Sequence, residues 1–214
     1  MSDDPTHVRE FFGTRAADWD SRFPDDGPAY AAAVEELDLR PGDAVLDAGC
    51  GTGRALPPLR AAVGPTGTVL GADLTPEMLE QAVLAGRGGR NVVSDGGGHG
   101  GTDGTATLLL ADVGRLPVRD GALDAVFGAG LVSHLADPVA DLRELARVVR
   151  PGGRLALFHP IGRAALAARH GRQITPDDLR AEPRLRPVLA EAGWRLVSYV
   201  DEDTRYLALA VRES

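Results

Sequence analysis

Short apolar runs alternate with longer amphipathic stretches along this chain. Residues 44–48, 67–72, 106–111, 122–127 and 154–158 are almost continuously apolar, the pattern of strands buried on both faces. Helical spacing fills the gaps. In residues 137–150, Val139, Leu142, Leu145 and Val149 share one face, while Arg143, Glu144, Arg147 and Arg150 fall elsewhere. Asp137 is placed to cap that helix, Pro138 suits its first turn, and Pro151-Gly152-Gly153 is expected to end it before the next strand. Thr75-Pro76-Glu77 marks another start in the same way. Strand and helix in alternation predict parallel βαβ units and a doubly wound α/β sheet. Residues 194–200 and 206–211 break the rhythm, because two strand-like runs separated by the charged residues 201–205 predict a C-terminal antiparallel hairpin.

Two segments lie outside this pattern. Residues 5–38 read as a mostly helical lead-in carrying Phe11, Phe12, Trp19, Phe23 and Tyr30, half of the ten aromatic residues. They suit either a helix packed on the sheet edge or a lid over a ligand. Residues 86–104 contain nine glycines and few apolar residues, and are expected to form a flexible insertion. No period of 20–50 residues repeats, which argues against a solenoid.

Composition narrows the chemistry. With 214 residues, 43% hydrophobic and 25% charged, the chain suits one globular domain. No apolar run approaches the roughly 18 residues that span a bilayer, and the start lacks the basic and apolar regions of a secretory signal, so a cytoplasmic location is expected. Cys50 is the only cysteine, which excludes an intrachain disulfide and a multi-thiolate metal site. A net charge of −8 disfavours a nucleic-acid partner. All 23 basic residues are arginine, so Schiff-base, pyridoxal-phosphate and phosphate-loop lysine chemistries are absent.

Ligands of open parallel sheets bind beyond the carboxyl ends of the strands, where the strand order reverses. At the end of the first run stands Asp47-Ala48-Gly49-Cys50-Gly51-Thr52-Gly53, a turn whose missing Cβ atoms admit a ligand to the backbone. The dinucleotide fingerprint places a third glycine at position 54, where this chain has Arg54. Asp73, twenty residues beyond Gly53, ends the second run and is placed to accept both hydroxyls of a ribose. Asp112 follows the third run and is placed to accept from an adenine amino group. Each acid alone also suits a turn or helix cap; three in succession make a sharper pattern.

VLDAGCGTGR, GADLTPEML, ADVGRLPVRDGALDAVF and LRELARVVRPGGRLAL, in this order over about residues 43–158, resemble the motifs of the class I S-adenosylmethionine-dependent methyltransferases, in particular the small-molecule type 11 group. The resemblance implies one Rossmann-like domain over 1–214, with a mostly parallel seven-stranded sheet, a core over 39–214 and a helical lid over 5–38. It implies S-adenosylmethionine as cofactor, with S-adenosylhomocysteine as product. Gly49 and Gly51 would lie against its methionine part, Asp47 would organise the ammonium, Asp73 would hold the ribose, and Leu74, Asp112 and Val113 would meet the adenine. The backbone at Gly128 would help receive the ammonium, and Cys50, Gly53, Met78 and Trp19 complete the expected contacts. The chain departs from the family in its glycine-rich insertion and in having Ser133-His134 where two histidines are common.

A sulfonium already activates its methyl group, so displacement needs chiefly a nucleophile held close and in line. If the acceptor must lose a proton, the candidate bases are His134 and His159, each of which also suits a purely structural position. Cys50, between two glycines, suits packing better than attack. His7, His99 and His170 lack ligand-like spacing, and no metal is expected. Arg163, Arg169 and Arg172 suit either anion binding or a solvated helix face. The expected acceptor is a small molecule, with no nucleic-acid or membrane partner; monomer and homodimer both stay open. The competing readings are a non-catalytic cofactor-binding regulator and an NAD(P)-dependent oxidoreductase.

Overall fold

The computed structural model describes residues 5–22, 26–89 and 105–214. Phe23 and most of the glycine-rich stretch, residues 90–104, lie outside them. Seven strands form one sheet: β1 (Ala44–Ala48), β2 (Thr68–Asp73), β3 (Thr107–Leu110), β4 (Leu123–Ala129), β5 (Val149–His159), β6 (Trp194–Glu202) and β7 (Arg205–Arg212). Their order is β3-β2-β1-β4-β5-β7-β6, with β7 antiparallel to both its neighbours and the other pairings parallel. The chain winds outward through β2 and β3, then returns to lay β4 against the other side of β1. Its direction reverses between β1 and β4, and that is where an open sheet forms a crevice.

Period-two alternation sends neighbours on β1 to opposite faces. Leu46 joins Val126, Leu155, Leu157, Leu142 and Leu145 on one side, whereas Val45 joins Phe127, Phe158, Leu56, Leu59 and Leu108 on the other. The first face is covered by α5 (Pro138–Val148) and α7 (Glu182–Glu191), and the second by α2 (Gly27–Glu35), α3 (Leu56–Val63) and α4 (Pro76–Leu84). Trp194 is fully buried and its indole N–H donates to the Leu142 carbonyl at 2.8 Å, which locks the hairpin onto α5. Helix α1 (Pro5–Gly13) and α6 (Arg163–Arg169) stand at the carboxyl end of the sheet.

The doubly wound sheet and terminal hairpin agree with expectation, with two local differences. Pro151-Gly152-Gly153 does not separate helix from strand: β5 starts directly after α5, with Val149 paired to Leu123 and Arg154 to Ala125, so the tripeptide bulges out within the strand. The hairpin is also longer than its apolar runs, because Asp201 and Glu202 pair with Tyr206 and Arg205 and leave only Asp203 and Thr204 for the turn. Charged residues pair as well as apolar ones where the ladder is at the surface.

Candidate active site

At the carboxyl ends of the strands lies a cleft of about 920 Å³, near the upper end of the range usual for a single small-molecule site. One half of its floor is built by β1, β2 and the segment after β3. The amides of Gly49 and Cys50 both donate to the Ala72 carbonyl, at 2.8 and 2.9 Å, pinning the glycine turn to the end of β2. The turn is held a second time by Asp73, whose Oδ2 accepts from the Gly51 amide at 2.8 Å while Oδ1 accepts from the Thr75 amide at 2.8 Å. Each oxygen keeps a further lone pair. Burial raises the Asp73 carboxyl above its ordinary range, opposed by these amides.

Asp47 is 1% exposed and lines the cleft, and its Oδ1 finds no hydrogen-bond partner among the described residues. Burial, reinforced by the neighbouring Asp73, pushes its carboxyl up to about 8. Gly51 has φ of 52° and a Cβ there would approach nothing nearer than the Met78 sulfur at 4.0 Å, so its open side is left to the cleft. Asp112 is exposed and its Oδ1 accepts from the Gly114 amide at 2.9 Å, with Asp141 close enough for their charges to raise the Asp141 carboxyl, a smaller cause than its burial.

Asp47, Gly49, Cys50, Gly51, Asp73, Leu74, Met78, Asp112, Val113 and Trp19 all line the cleft. Gly53 and Gly128 do not. A Cβ at Gly53 would meet Leu56 Cδ1 at 2.8 Å, so that glycine serves the packing of α3 beneath the turn. A Cβ at Gly128 would meet Leu131 at 2.9 Å, and the cleft is lined instead by Ala129 at the end of β4 and by Gly130 just beyond it. Burial, then the charges of Asp47 and Asp73, push the Cys50 thiol well up, so it stays protonated and is a poor nucleophile.

The N-terminal segment reaches over the turn through charges that the sequence patterns did not reveal. Asp20 accepts from the Thr52 hydroxyl at 2.6 Å, from Arg54 Nε at 3.1 Å and from Arg87 Nη1 at 2.5 Å, while Arg54 also pairs with Asp26 at 3.0 Å. Burial alone would raise the Asp20 carboxyl; the three donors outweigh it and hold the group below its ordinary range. The position that departs from the dinucleotide fingerprint thus holds residues 20 and 26 to the glycine turn. Farther along, Phe12 meets Trp19 edge-on at 5.3 Å and His134 at 5.0 Å, joining the same segment to the turn after β4. Tyr30 plays a double part, lining the cleft while its ring packs on Phe158 at 5.1 Å.

The other half of the cleft lies beyond β4 and β5. His159 ends β5 with Nδ1 2.8 Å from the Ile161 carbonyl and 3.2 Å from the Ile161 amide. The shorter contact fits an Nδ1–H donor, which leaves Nε2 with its lone pair. Burial lowers the His159 pKa, so the ring favours the neutral form. Arg169 and Arg172 line this half. Arg163 does not, because its guanidinium is taken by Asp201 at 2.8 Å and Asp178 at 3.7 Å. Among the described residues no group of three or more His, Cys, Asp or Glu side chains converges as a metal site, and no helix is long and apolar enough to cross a membrane.

Residues 46–157 match a family described as a methyltransferase domain. The ubiquinone/menaquinone biosynthesis C-methyltransferase UbiE of Ectopseudomonas mendocina is 31% identical over 194 residues, covering 78% of this chain and 70% of that protein. Arsenite methyltransferase of Halobacterium salinarum is 28% identical over 186 residues, covering 79% of this chain and 42% of that one. The chain spans less than half the length of several curated relatives, 33% of one and 43% of another. An S-adenosylmethionine-dependent methyltransferase of Aquifex aeolicus shares the fold with a TM-score of 0.67 at 23% identity, over 100% of both chains. Magnesium protoporphyrin IX methyltransferase of Synechocystis, solved with bound S-adenosylmethionine, does so with a TM-score of 0.67 at 20% identity, over 100% of this chain and 99% of that one. The matched stretch is more than half of the chain and contains the glycine turn and all three strand-end acids, and the chain belongs to the class I S-adenosylmethionine-dependent methyltransferases of the type 11 group.

Proposed function

We propose that this protein transfers a methyl group from S-adenosylmethionine to an oxygen, nitrogen or carbon atom of a small molecule held in the half of the cleft beyond β4 and β5. The observation that carries the reading is the buried, unpartnered Oδ1 of Asp47 beside an open glycine turn. A buried carboxylate oxygen without a donor is costly unless a ligand supplies one, and the ammonium of the cofactor's methionine part is such a donor. The remaining lone pairs of Asp73 suit the ribose hydroxyls, and Leu74, Val113 and Asp112 suit an adenine ring and its amino group. When bound, the cofactor supplies a methyl group already activated by the sulfonium.

The chain's own part is to hold, align and dry the reactants. Residues 5–22 act as the lid, with Phe12, Trp19 and the Asp20 contacts holding it down. His159 accepts the acceptor's proton at Nε2, with the Ile161 carbonyl fixing the tautomer. His134 remains the alternative base; its edge contact with Phe12 favours a part in seating the lid. A small acceptor is supported by relatives named for arsenite methylation and for ubiquinone/menaquinone biosynthesis. The charge of −8 and the lack of a spanning helix among the described residues favour action in the cytoplasm, on neither nucleic acid nor membrane. Calorimetric titration with S-adenosylhomocysteine and, separately, with NADH tests the cofactor: binding of the first only is expected, and binding of NADH alone refutes the reading. A screen of small acceptors for release of S-adenosylhomocysteine then tests transfer.

A further inference from the structure

The charged residues lining the cleft are unevenly spread: Arg54, held by Asp20 and Asp26, lies on the glycine turn, Arg15 and Arg22 on the N-terminal segment, and Asp178 on the far side. Asp47, Asp73, Asp112 and Asp141 all stand on the β1–β3 side, where a cationic, hydroxyl-rich cofactor fits. Arginines line the far side, in a chain whose net charge is −8. Of these, Arg180 is committed to Asp178 in a bidentate pair at 3.0 and 3.1 Å. Arg169 and Arg172 have no carboxylate partner among the described residues; Arg172 only approaches His170 Nδ1 at 3.1 Å. A basic residue in the last turn of α6 suits the helix dipole and accounts for the place of Arg169 along the helix. That reason does not reach Arg172, which stands in the loop beyond it. Arg169 is not remote from the reacting region, since it and Arg180 both act on His159 and disfavour its protonated form, adding to the effect of burial.

Apolar side chains line the cleft as well. Phe11 and Ile174, two of the few large apolar side chains left exposed, at 45% and 49%, both line the cleft, together with Leu166 and Ile161. Exposed apolar side chains gathered on one concave surface indicate a surface that a ligand covers.

From this arrangement, and resting on the function proposed above, we infer that the methyl acceptor is an organic acid, an apolar skeleton carrying a carboxylate that Arg169 and Arg172 hold while Phe11 and Ile174 cover the skeleton. Guanidinium groups bind carboxylates through paired, charge-assisted hydrogen bonds, and a neutral amide of the same shape loses that attraction. The carboxylate serves as the anchor, which sets the orientation of the rest of the molecule toward His159.

The test uses the protein saturated with S-adenosylhomocysteine, titrated with benzoate, 2-naphthoate and octanoate and with the three corresponding amides. At least one acid is expected to bind about tenfold or more tightly than its amide. The Arg169→Gln/Arg172→Gln double variant is expected to remove that preference and to leave affinity for S-adenosylhomocysteine unchanged. Amides that bind as well as their acids, no acid bound above its amide, or a preference that survives in the double variant would each overturn the inference. Failure of S-adenosylhomocysteine itself to bind the unaltered protein would instead strike at the cofactor reading, so the two failures are distinguishable.

Discussion

The two halves of the cleft are built by different means. On the β1–β3 side the groups that face the ligand are fixed by backbone: the Ala72 carbonyl holds two amides of the glycine turn, and the Asp73 carboxylate holds the amides of Gly51 and Thr75. On the β4–β5 side they are mostly side chains from helix ends and loops, such as Arg169, Arg172 and Ile174, and several are exposed. A site that receives the same cofactor in every turnover gains from preorganisation, because its donors and acceptors need no rearrangement on binding. A site assembled from α6 and the loop beyond can change its acceptor by changing side chains without disturbing the turn.

The sharpest way to separate the halves is to remove the proposed base. His159→Gln is expected to lower turnover of a reactive acceptor by about 10²–10⁴-fold while affinity for S-adenosylhomocysteine stays as it was. Unaltered turnover would remove His159 from the reaction. A pH profile adds a second readout. The base is needed neutral and its pKa is lowered, so activity should persist below the pH at which an ordinary histidine protonates, about 6.5, and fall only at lower pH. Next in size is Asp73→Asn, which keeps the volume but replaces one acceptor oxygen with a donor. Calorimetry should show about 1.5–3 kcal/mol less affinity for S-adenosylhomocysteine, the range for hydrogen bonds to a charged group. An unchanged affinity in the folded variant would mean that Asp73 only braces the turn.

The same contrast explains how much was legible in the sequence. Continuous apolar runs and strand-end acids mark backbone-built features, so the sheet, the switch point and the acids Asp47, Asp73 and Asp112 could be read from spacing. Gly53 could not be told from Gly51, because both have positive φ and only packing shows that one backs onto Leu56 while the other opens to the cleft. Asp20 gave no signal at all. It stands in a polar stretch, and its partners Thr52, Arg54 and Arg87 are separated from it by 32, 34 and 67 positions. Arg54 was visible as an anomaly in the glycine turn, but its task depends on which segment the fold brings above it.

Asp47 tests whether the cofactor half holds strain that the ligand relieves. A buried carboxyl at about 8 keeps a proton in the folded chain that the unfolded chain gives up near 4. The folded state therefore binds more protons between about pH 4 and 8, and its stability falls as pH rises through that window. Asp47→Asn should accordingly melt at higher temperature than the unaltered apoprotein at pH 8, with little difference near pH 4. A ligand ammonium favours the ionised form, so affinity for S-adenosylhomocysteine should rise from pH 6 toward 8, by at most about tenfold per pH unit, and should be lower and flat in the variant. A parallel rise in both proteins would assign the pH dependence to another group.

The smallest expected effect concerns the contact between the proposed lid and the half of the cleft assigned above to the cofactor. Asp20 is about a third exposed, so its pairs with Arg54 and Arg87 are screened and their worth is modest, about 1 kcal/mol in all. Their value is positional, since one carboxylate gathers the hydroxyl of Thr52 and two guanidinium groups, one from the turn and one from just after α4. Asp20→Ala should leave the melting temperature within a few degrees of the original, yet weaken S-adenosylhomocysteine several-fold by releasing residues 16–22 from the turn. Proteolysis should show it too: cleavage at Arg15 or Arg22 by trypsin is expected to accelerate in the variant, and S-adenosylhomocysteine should protect the unaltered protein more than the variant. If the ligand protects both equally, the lid is seated by Phe12, Trp19 and His134 and by the bond from Arg54 to the residue 20 carbonyl, and the carboxylate of Asp20 is a surface feature without a part in binding.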